Sequence, residues 1–139
     1  MIMNYLKIVG RRSKKNKLTN RIHFLGFVNN PGILIQSAHL FYLPSRCDSM
    51  PLVVLEAMSY GKDIVYYNSG GVKEAVGNYG IFIENFDIDK TVAEIVSYIN
   101  NKCSDYGLPF NENAYKRYFE YFRSDVFVKR FIEALVYQK

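Results

Sequence analysis

Short apolar runs alternate with amphipathic or polar segments along most of the chain, as strands alternate with helices. Five of these runs predict strands, at 5–9, 22–27, 39–43, 63–67 and 80–83. Helices are predicted between them at 31–38, at 52–60 and from the 68–71 turn through Glu74. Because the strands are apolar on both faces, they predict a parallel sheet with helices on both sides, which is an α/β fold.

A helical period replaces the strand pattern after residue 83. Apolar residues recur there on one face, and Asp87 or Asp89 lies near the cap of the helix. Residues 111–139 predict two more helices that join near Ser124, which is suited to cap the second. The apolar faces consist of Ile88, Val92, Ile95, Val96 and Ile99, and of Phe127, Phe131 and Leu135. We predict one sheet domain over 1–109, with helices from 110–139 packing on the same domain.

The composition is that of an ordinary globular domain. The chain has 139 residues, 49% of them hydrophobic and 22% charged, which suffices for one buried core. No apolar run reaches the roughly 18 residues of a membrane-spanning helix, and no signal peptide is visible. Cys47 and Cys103 have no metal-like spacing, so neither a zinc site nor a disulfide scaffold is expected. The simplest compartment is the cytoplasm.

The net charge of +5 is concentrated near the start of the chain. The first acid is Asp48, and six cations precede it between positions 11 and 21. Such a cluster attracts nucleic acid or an anionic membrane, although a solvated segment is the preferred interpretation. Because no aromatic residue interleaves with it, nucleic acid is not expected as a partner. A peripheral contact at the inner face of the membrane stays open. The cations are Arg11, Arg12, Lys14, Lys15, Lys17 and Arg21.

Ligands of parallel sheets bind beyond the carboxyl ends of the strands. The predicted strands place four loops there, at 10–12, 26–30, 44–51 and 68–71. The chain has neither the G-x-G-x-x-G fingerprint nor the G-x-x-x-x-G-K-[ST] motif, so dinucleotide and P-loop sites lack support.

The loop at 44–51 carries the strongest candidate chemistry. Asp48 lies on the loop, and Glu56 follows eight positions later inside a predicted helix that starts at Pro51, with Ser49 as the cap. A helix N-terminus offers free N–H groups to a phosphate, and Glu56 lies roughly 7 Å further along the axis. This layout suits a sugar nucleotide, with ribose at Glu56. Spacing alone leaves a plainer interpretation open, in which two surface acids flank an ordinary amphipathic helix.

Several short motifs occur together in an order typical of one family. They are L-K-I-V-G at 6–10, R-I-H-F-L-G-F-V at 21–28, P-S at 44–45, P-L-V-V-L-E-A-M at 51–58, G-K at 61–62 and G-G-V-K-E at 70–74. Over roughly residues 5–100 the chain resembles the donor-binding, C-terminal half of a retaining glycosyltransferase of family 4. The resemblance implies a three-layer Rossmann-like parallel sheet, the C-terminal half of a GT-B fold.

The resemblance also implies roles for individual residues. Glu56 corresponds to the acid that hydrogen-bonds ribose, and Asp48 to the catalytic acid beside the donor sugar. The remaining donor-binding positions are Ser49, Met50 and Leu52 near the sugar and diphosphate, Gly26 and Phe27 near the base, and the tight loop Gly70 and Gly71. Glu74 takes a structural role.

The implied reaction transfers a sugar from a UDP- or GDP-type nucleotide sugar to a glycan or lipid-linked acceptor, as in cell-surface polysaccharide synthesis. No cofactor and no metal ion are expected, because the helix N–H groups and cationic side chains stabilise the leaving diphosphate.

Departures from the family pattern leave other interpretations open. Asp48 stands where glutamate is usual, and Asp63 where proline is usual. The family's first strand, its diphosphate-binding Arg and Lys, and its acceptor-binding domain are expected outside this chain, supplied in cis or in trans. Arg11 or Arg12 is a hypothetical substitute for those cations. The alternatives are a non-catalytic nucleotide-sugar-binding remnant and an unrelated flavodoxin-like interaction domain.

Overall fold

The computed structural model describes residues 11, 14–68, 70–84, 86–103 and 108–136. They fall into two compact units, divided after Asn30. In the first unit the predicted strand 5–9 lies outside the described residues. The strand predicted at 22–27 is wrong: among the described residues this segment has no regular secondary structure, and Gly26 within it has a left-handed φ of +64°. Its side chains Phe24 and Phe27 are exposed, the latter at 91%. A run of apolar residues forms a strand only where its backbone pairs with that of another strand.

The second unit contains a three-stranded parallel sheet with the order β1-β2-β3. Its strands are β1 (Leu40–Leu43), β2 (Asp63–Tyr67) and β3 (Ile81–Ile83). Leu40 pairs with Asp63, and Val65 pairs with Ile81. The three predicted strands and their parallel direction are confirmed, with β1 and β3 each one residue shorter than predicted.

The described part of the second unit also contains six α-helices. They are α1 (Pro31–Ser37), α2 (Leu52–Ser59), α3 (Val72–Val76), α4 (Ile88–Lys102), α5 (Glu112–Arg117) and α6 (Ser124–Val136). A π-helical turn, Tyr118–Phe122, joins α5 to α6. Asp87 caps α4 by accepting the N–H groups of Asp89 and Lys90. Ser124 is the first residue of α6 and not its cap.

Helices cover both faces of the sheet, which confirms the three-layer α/β architecture. Ile64 and Tyr66 of β2 pack with buried residues of α2 and α3, while Val65 and Tyr67 pack on the opposite face with Ile95 of α4. The α2 and α3 residues are Val54, Ala57, Met58, Val72 and Val76, and Ala114 of α5 joins the same cluster. The domain boundary at residue 109 stays a prediction. The apolar stripe of α6 is exposed, with Phe131 at 56%.

Asp63, at the start of β2, is 1% exposed and joins three elements. Asn111 donates its side-chain amide to the Asp63 carboxylate at 2.6 Å and to the carbonyl of Tyr79 at 2.9 Å. The side-chain oxygen of Asn111, Oδ1, accepts a hydrogen bond from the N–H of Ala114 and thereby caps α5. Lys102, at the end of α4, lies 4.0 Å from the same carboxylate. Asp63, through Asn111, therefore holds α5 against the sheet.

Candidate functional site

The loop after β1 leads into α2 through a buried proline. Pro51 is the N-cap of α2, and Val54 donates its N–H to the Pro51 carbonyl at 3.0 Å. The prediction that Pro51 is the first helical residue and Ser49 the cap is wrong, because the helix begins at Leu52 and no side chain caps it. Within the described residues, the N–H groups of Leu52 and Val53 have no backbone acceptor. The predicted free N–H groups are therefore present, one residue later than expected.

Two loops that are distant in sequence meet at this helix start. Gly71 donates its N–H to the Ser49 carbonyl at 2.7 Å. Gly70, with a left-handed φ of +56°, lies so close to the Asp48 carbonyl that a β-carbon would overlap it. A β-carbon on Gly71 would likewise overlap the Ser49 carbonyl. The two glycines thus hold the backbone of the 44–51 loop in place beyond the carboxyl ends of β1 and β2.

Glu56 lies on the solvent side of α2. Val54, Ala57 and Met58 point into the core, whereas Leu52 and Glu56, one turn apart, are exposed. The Glu56 carboxylate has no hydrogen-bond or ion-pair partner among the described residues, so it is free to accept bonds from a ligand. It lies about 6 Å along the helix axis from Leu52, where the free N–H groups begin.

The other predicted site residues divide between the two units. Asp48 is half-buried, while Ser49 and Met50 are exposed beside it. Gly26 and Phe27 lie in the unit that ends at residue 30, where Gly26 has a φ of +64° and open space around it. The structure therefore brings together Asp48, Ser49, Met50, Leu52, Glu56, Gly70 and Gly71. The expected contact of Gly26 and Phe27 with the base stays a prediction.

An aromatic cluster at the same edge of the sheet was not predicted. The hydroxyl of Tyr42 donates to that of Tyr67 at 3.0 Å. Tyr67 lies 3.0 Å from the hydroxyl of Thr91, which donates to the Asp87 carbonyl at 2.6 Å. Because each hydroxyl has one proton, the bonds run in one direction, from Tyr42 through Tyr67 to Thr91. Phe86 stacks on Tyr67 with ring centroids 4.3 Å apart. The sequence feature that could have predicted this cluster is an aromatic residue near the end of each strand.

Burial shifts the titration of several tyrosines in this unit. Burial, and then the hydrogen bond to Tyr67, raises the pKa of Tyr42 to about 12. Burial raises the pKa of Tyr66, and burial together with the nearby Asp63 raises that of Tyr98. A tyrosine whose native pKa exceeds its unfolded value, about 10, stabilises the fold fully below that pH, and the stabilisation is lost as the pH rises further.

We therefore expect the free energy of unfolding to fall as the pH rises from about 10 towards 12. Urea unfolding followed by circular dichroism at closely spaced pH values measures this decline. The variant Tyr42→Phe removes one titrating hydroxyl, so its decline over the same range should be shallower. Equal slopes for the two proteins would contradict the assignment to Tyr42.

The described residues hold no cluster of three or more His, Cys, Asp or Glu side chains placed to bind a metal ion. Within that same part of the chain, every helix is too short or too polar to cross a bilayer.

Two solved structures share this fold. The Anabaena protein HepE in complex with UDP superposes with a TM-score of 0.83 at 23% identity, over 96% of this chain and 37% of HepE. A glycosyltransferase from Rickettsia africae gives a TM-score of 0.77 at 17% identity, over 98% of this chain and 38% of its own length. Both likenesses place the chain in the GT-B fold.

Sequence comparison identifies related proteins as well. An uncharacterised glycosyltransferase of Haemophilus influenzae is 33% identical over 108 residues, which are 69% of this chain and 31% of that protein. The UDP-Gal:alpha-D-GlcNAc-diphosphoundecaprenol alpha-1,3-galactosyltransferase of Escherichia coli is 33% identical over 87 residues, 61% of this chain and 22% of its own. The chain thus spans about a third or less of these relatives. A model of the family described as glycosyl transferases group 1 matches residues 4–117. The chain therefore belongs to the glycosyl transferases group 1 family.

Proposed function

We propose that this chain is the nucleotide-sugar-binding half of a retaining glycosyltransferase of family 4. It binds a UDP- or GDP-type sugar, and the complete enzyme transfers that sugar to a glycan or lipid-linked acceptor in cell-surface polysaccharide synthesis. The other half, which binds the acceptor, belongs to the same protein or to a partner. We place the reaction in the cytoplasm, at or near the inner face of the membrane.

The observation that carries this proposal is the junction of the two loops at the start of α2. The bond from Gly71 to Ser49 holds the 44–51 loop beside the free N–H groups of Leu52 and Val53. An unpaired carboxylate, Glu56, lies one turn further along the same exposed face. N–H groups at a helix start suit a phosphate, and a carboxylate suits a pair of ribose hydroxyls. Their spacing matches adjacent parts of one nucleotide diphosphate.

The relatives support the choice of donor and acceptor. The E. coli relative takes its sugar from UDP-Gal and adds it to a sugar carried on diphosphoundecaprenol. A relative in Campylobacter jejuni, 39% identical over 57 residues, acts on a sugar carried on the same lipid. HepE has been solved with UDP-glucose. Membership of the glycosyl transferases group 1 family argues against an unrelated flavodoxin-like domain.

In the proposed reaction the side chains position the donor and stabilise the leaving group. Glu56 accepts hydrogen bonds from the ribose, and the Leu52 and Val53 N–H groups stabilise the charge that develops on the leaving diphosphate. Asp48 lies by the donor sugar and orients it, although its side chain is one methylene shorter than glutamate. We propose that no metal ion takes part. The shorter Asp48 keeps one alternative open, a remnant that binds the donor without transferring its sugar.

Replacement of Glu56 by alanine tests the donor site. We expect Glu56→Ala to weaken UDP binding about tenfold, because two hydrogen bonds to a charged acceptor are lost. Isothermal titration of the purified chain with UDP measures the effect. The matched control is Glu94→Ala, which removes an equally exposed glutamate from α4 and should leave the affinity unchanged. Unchanged affinity in Glu56→Ala would refute the ribose assignment.

A second measurement separates an enzyme from a remnant. If the chain is half of an enzyme, donor turnover appears once the acceptor-binding half of a relative is supplied, and Asp48→Asn abolishes it. If the chain binds UDP but no turnover appears with any such half, the remnant is the better description.

A further inference from the structure

Arg46 lies at the carboxyl edge of the sheet and has no acidic partner among the described residues. It lies in the 44–51 loop, two residues before Asp48, and is exposed. Within the described part of the chain, its guanidinium forms neither an ion pair nor a hydrogen bond. In the β3–α4 connection, the carboxylate of Asp87 is occupied as the cap of α4. A guanidinium presents five N–H donors, so Arg46 offers unused binding capacity.

The guanidinium is nevertheless held in place. Its Cζ lies 5.4 Å from the ring centroid of Phe86, a cation–π contact. Phe86 in turn stacks on Tyr67, which is 5% exposed and bonded on both sides by Tyr42 and Thr91. Tyr67 therefore restricts the position of the Phe86 ring, and the Phe86 ring restricts that of the Arg46 guanidinium. A long side chain that is already ordered loses less conformational entropy when it binds a ligand.

We infer that Arg46, oriented by the Phe86–Tyr67 stack, binds a phosphate group of a substrate. The inference rests on the proposed function, since it assigns a cation to the same edge of the sheet. A planar guanidinium binds a phosphate through two parallel N–H bonds, which an ammonium group does not reproduce. The phosphate has two possible sources at this edge, the diphosphate of the donor or a phosphate carried by the acceptor.

If the stack orients Arg46, substitutions of Arg46 and of Phe86 should weaken phosphate binding by different amounts. Arg46→Ala should weaken binding of at least one phosphate ligand about tenfold, and Arg46→Lys should recover only part of the loss. Phe86→Leu should weaken the same ligand about threefold although Arg46 is intact, because the guanidinium is no longer held. The matched control is Arg130→Ala in α6. Arg130 also stacks on an aromatic ring, that of Tyr121 at 4.6 Å, but lies in the C-terminal helices.

The experiment is a set of nuclear magnetic resonance titrations of the full chain with UDP and, separately, with N-acetylglucosamine 1-phosphate. A loss of affinity for UDP in Arg46→Ala assigns Arg46 to the donor diphosphate. A loss confined to the sugar phosphate assigns it to the acceptor. The inference is overturned if Arg46→Ala binds both ligands within twofold of the unmodified chain, or if Arg130→Ala weakens them equally.

The Glu56→Ala variant distinguishes this inference from the proposed function. If Glu56→Ala loses UDP while Arg46→Ala keeps both ligands, the donor site stands and the Arg46 inference falls. If the unmodified chain binds neither ligand at millimolar concentration, both are overturned.

Discussion

Replacement of Gly70 by alanine is expected to lower the free energy of unfolding by about 3 kcal/mol and to weaken UDP binding at least tenfold. The backbone of Gly70 has a left-handed φ of +56°, which costs a residue with a β-carbon about 1 kcal/mol. The new methyl group also overlaps the Asp48 carbonyl, and relieving such an overlap costs about 2 kcal/mol. We expect relief to move the 44–51 loop away from the start of α2, which separates Asp48 from the N–H groups that are proposed to bind the diphosphate. Chemical unfolding and UDP titration of the same preparation measure both effects.

Two further glycine variants separate the causes. Gly71→Ala keeps an ordinary φ, near −79°, but overlaps the Ser49 carbonyl, so it isolates the effect of the overlap. Gly26→Ala has the left-handed φ of +64° and nothing within contact distance, so its stability reports the dihedral cost alone. We expect a small loss of stability in Gly26→Ala and a larger one in Gly71→Ala. If all three variants lose the same amount, contact between the two loops is not what makes Gly70 and Gly71 necessary.

Replacement of Asn111 by alanine is expected to destabilise the fold by about 3 kcal/mol, at the end of the sheet opposite the site. The change leaves the buried Asp63 carboxylate without its 2.6 Å donor, which costs about 2 kcal/mol. It also removes the side-chain cap of α5, and the loss of such a cap costs about 1 kcal/mol of stability. The measurement is urea unfolding at neutral pH, and Asn113→Ala, an exposed change in the same helix, is the control.

A paired variant tests the mechanism of this loss. Asp63→Asn removes the buried charge, so the combination Asp63→Asn with Asn111→Ala should be more stable than Asn111→Ala alone. If Asp63→Asn instead lowers the stability of Asn111→Ala by as much as it lowers that of the unmodified chain, the carboxylate is not the source of the instability. UDP affinity of the folded variants should change little, because Asp63 and Asn111 lie at the amino end of β2.

The predicted strands and helices agree best with the structure where the sequence signal is local. The apolar runs that form β1, β2 and β3 are recognisable because strands of a parallel sheet contain few polar residues, most clearly in β2, which is buried along its whole length. The run at 22–27 has the same character, yet it forms no strand among the described residues. A strand is completed by its neighbour, and hydropathy does not show whether a neighbour is present. The start of α2 was misplaced by one residue for a related reason, since a proline fits either side of a helix boundary.

In the candidate site too, motifs that are local in sequence were predicted, whereas contacts between residues far apart in the chain were not. The order of the motifs identified Asp48, Glu56, Gly70 and Gly71 as members of one site, because a family pattern reflects a shared fold. No local pattern indicates that Arg46 lies over Phe86, forty positions later, or that Asp63 receives a hydrogen bond from Asn111. Such pairs depend on where the chain returns after one or more intervening helices.

The amino-acid sequence alone predicts the alternation of strands and helices and the parallel sheet, and it singles out the two acids at 48 and 56. Periodicity and turn-forming residues act between near neighbours, so they can be read along the chain. The folded structure was needed to show that Gly70 and Gly71 contact the Asp48–Ser49 backbone, that the Glu56 carboxylate has no partner among the described residues, and that Arg46 lies over Phe86 at the same edge. These properties come from packing between segments far apart in sequence, where a single methyl group or hydrogen bond decides the geometry.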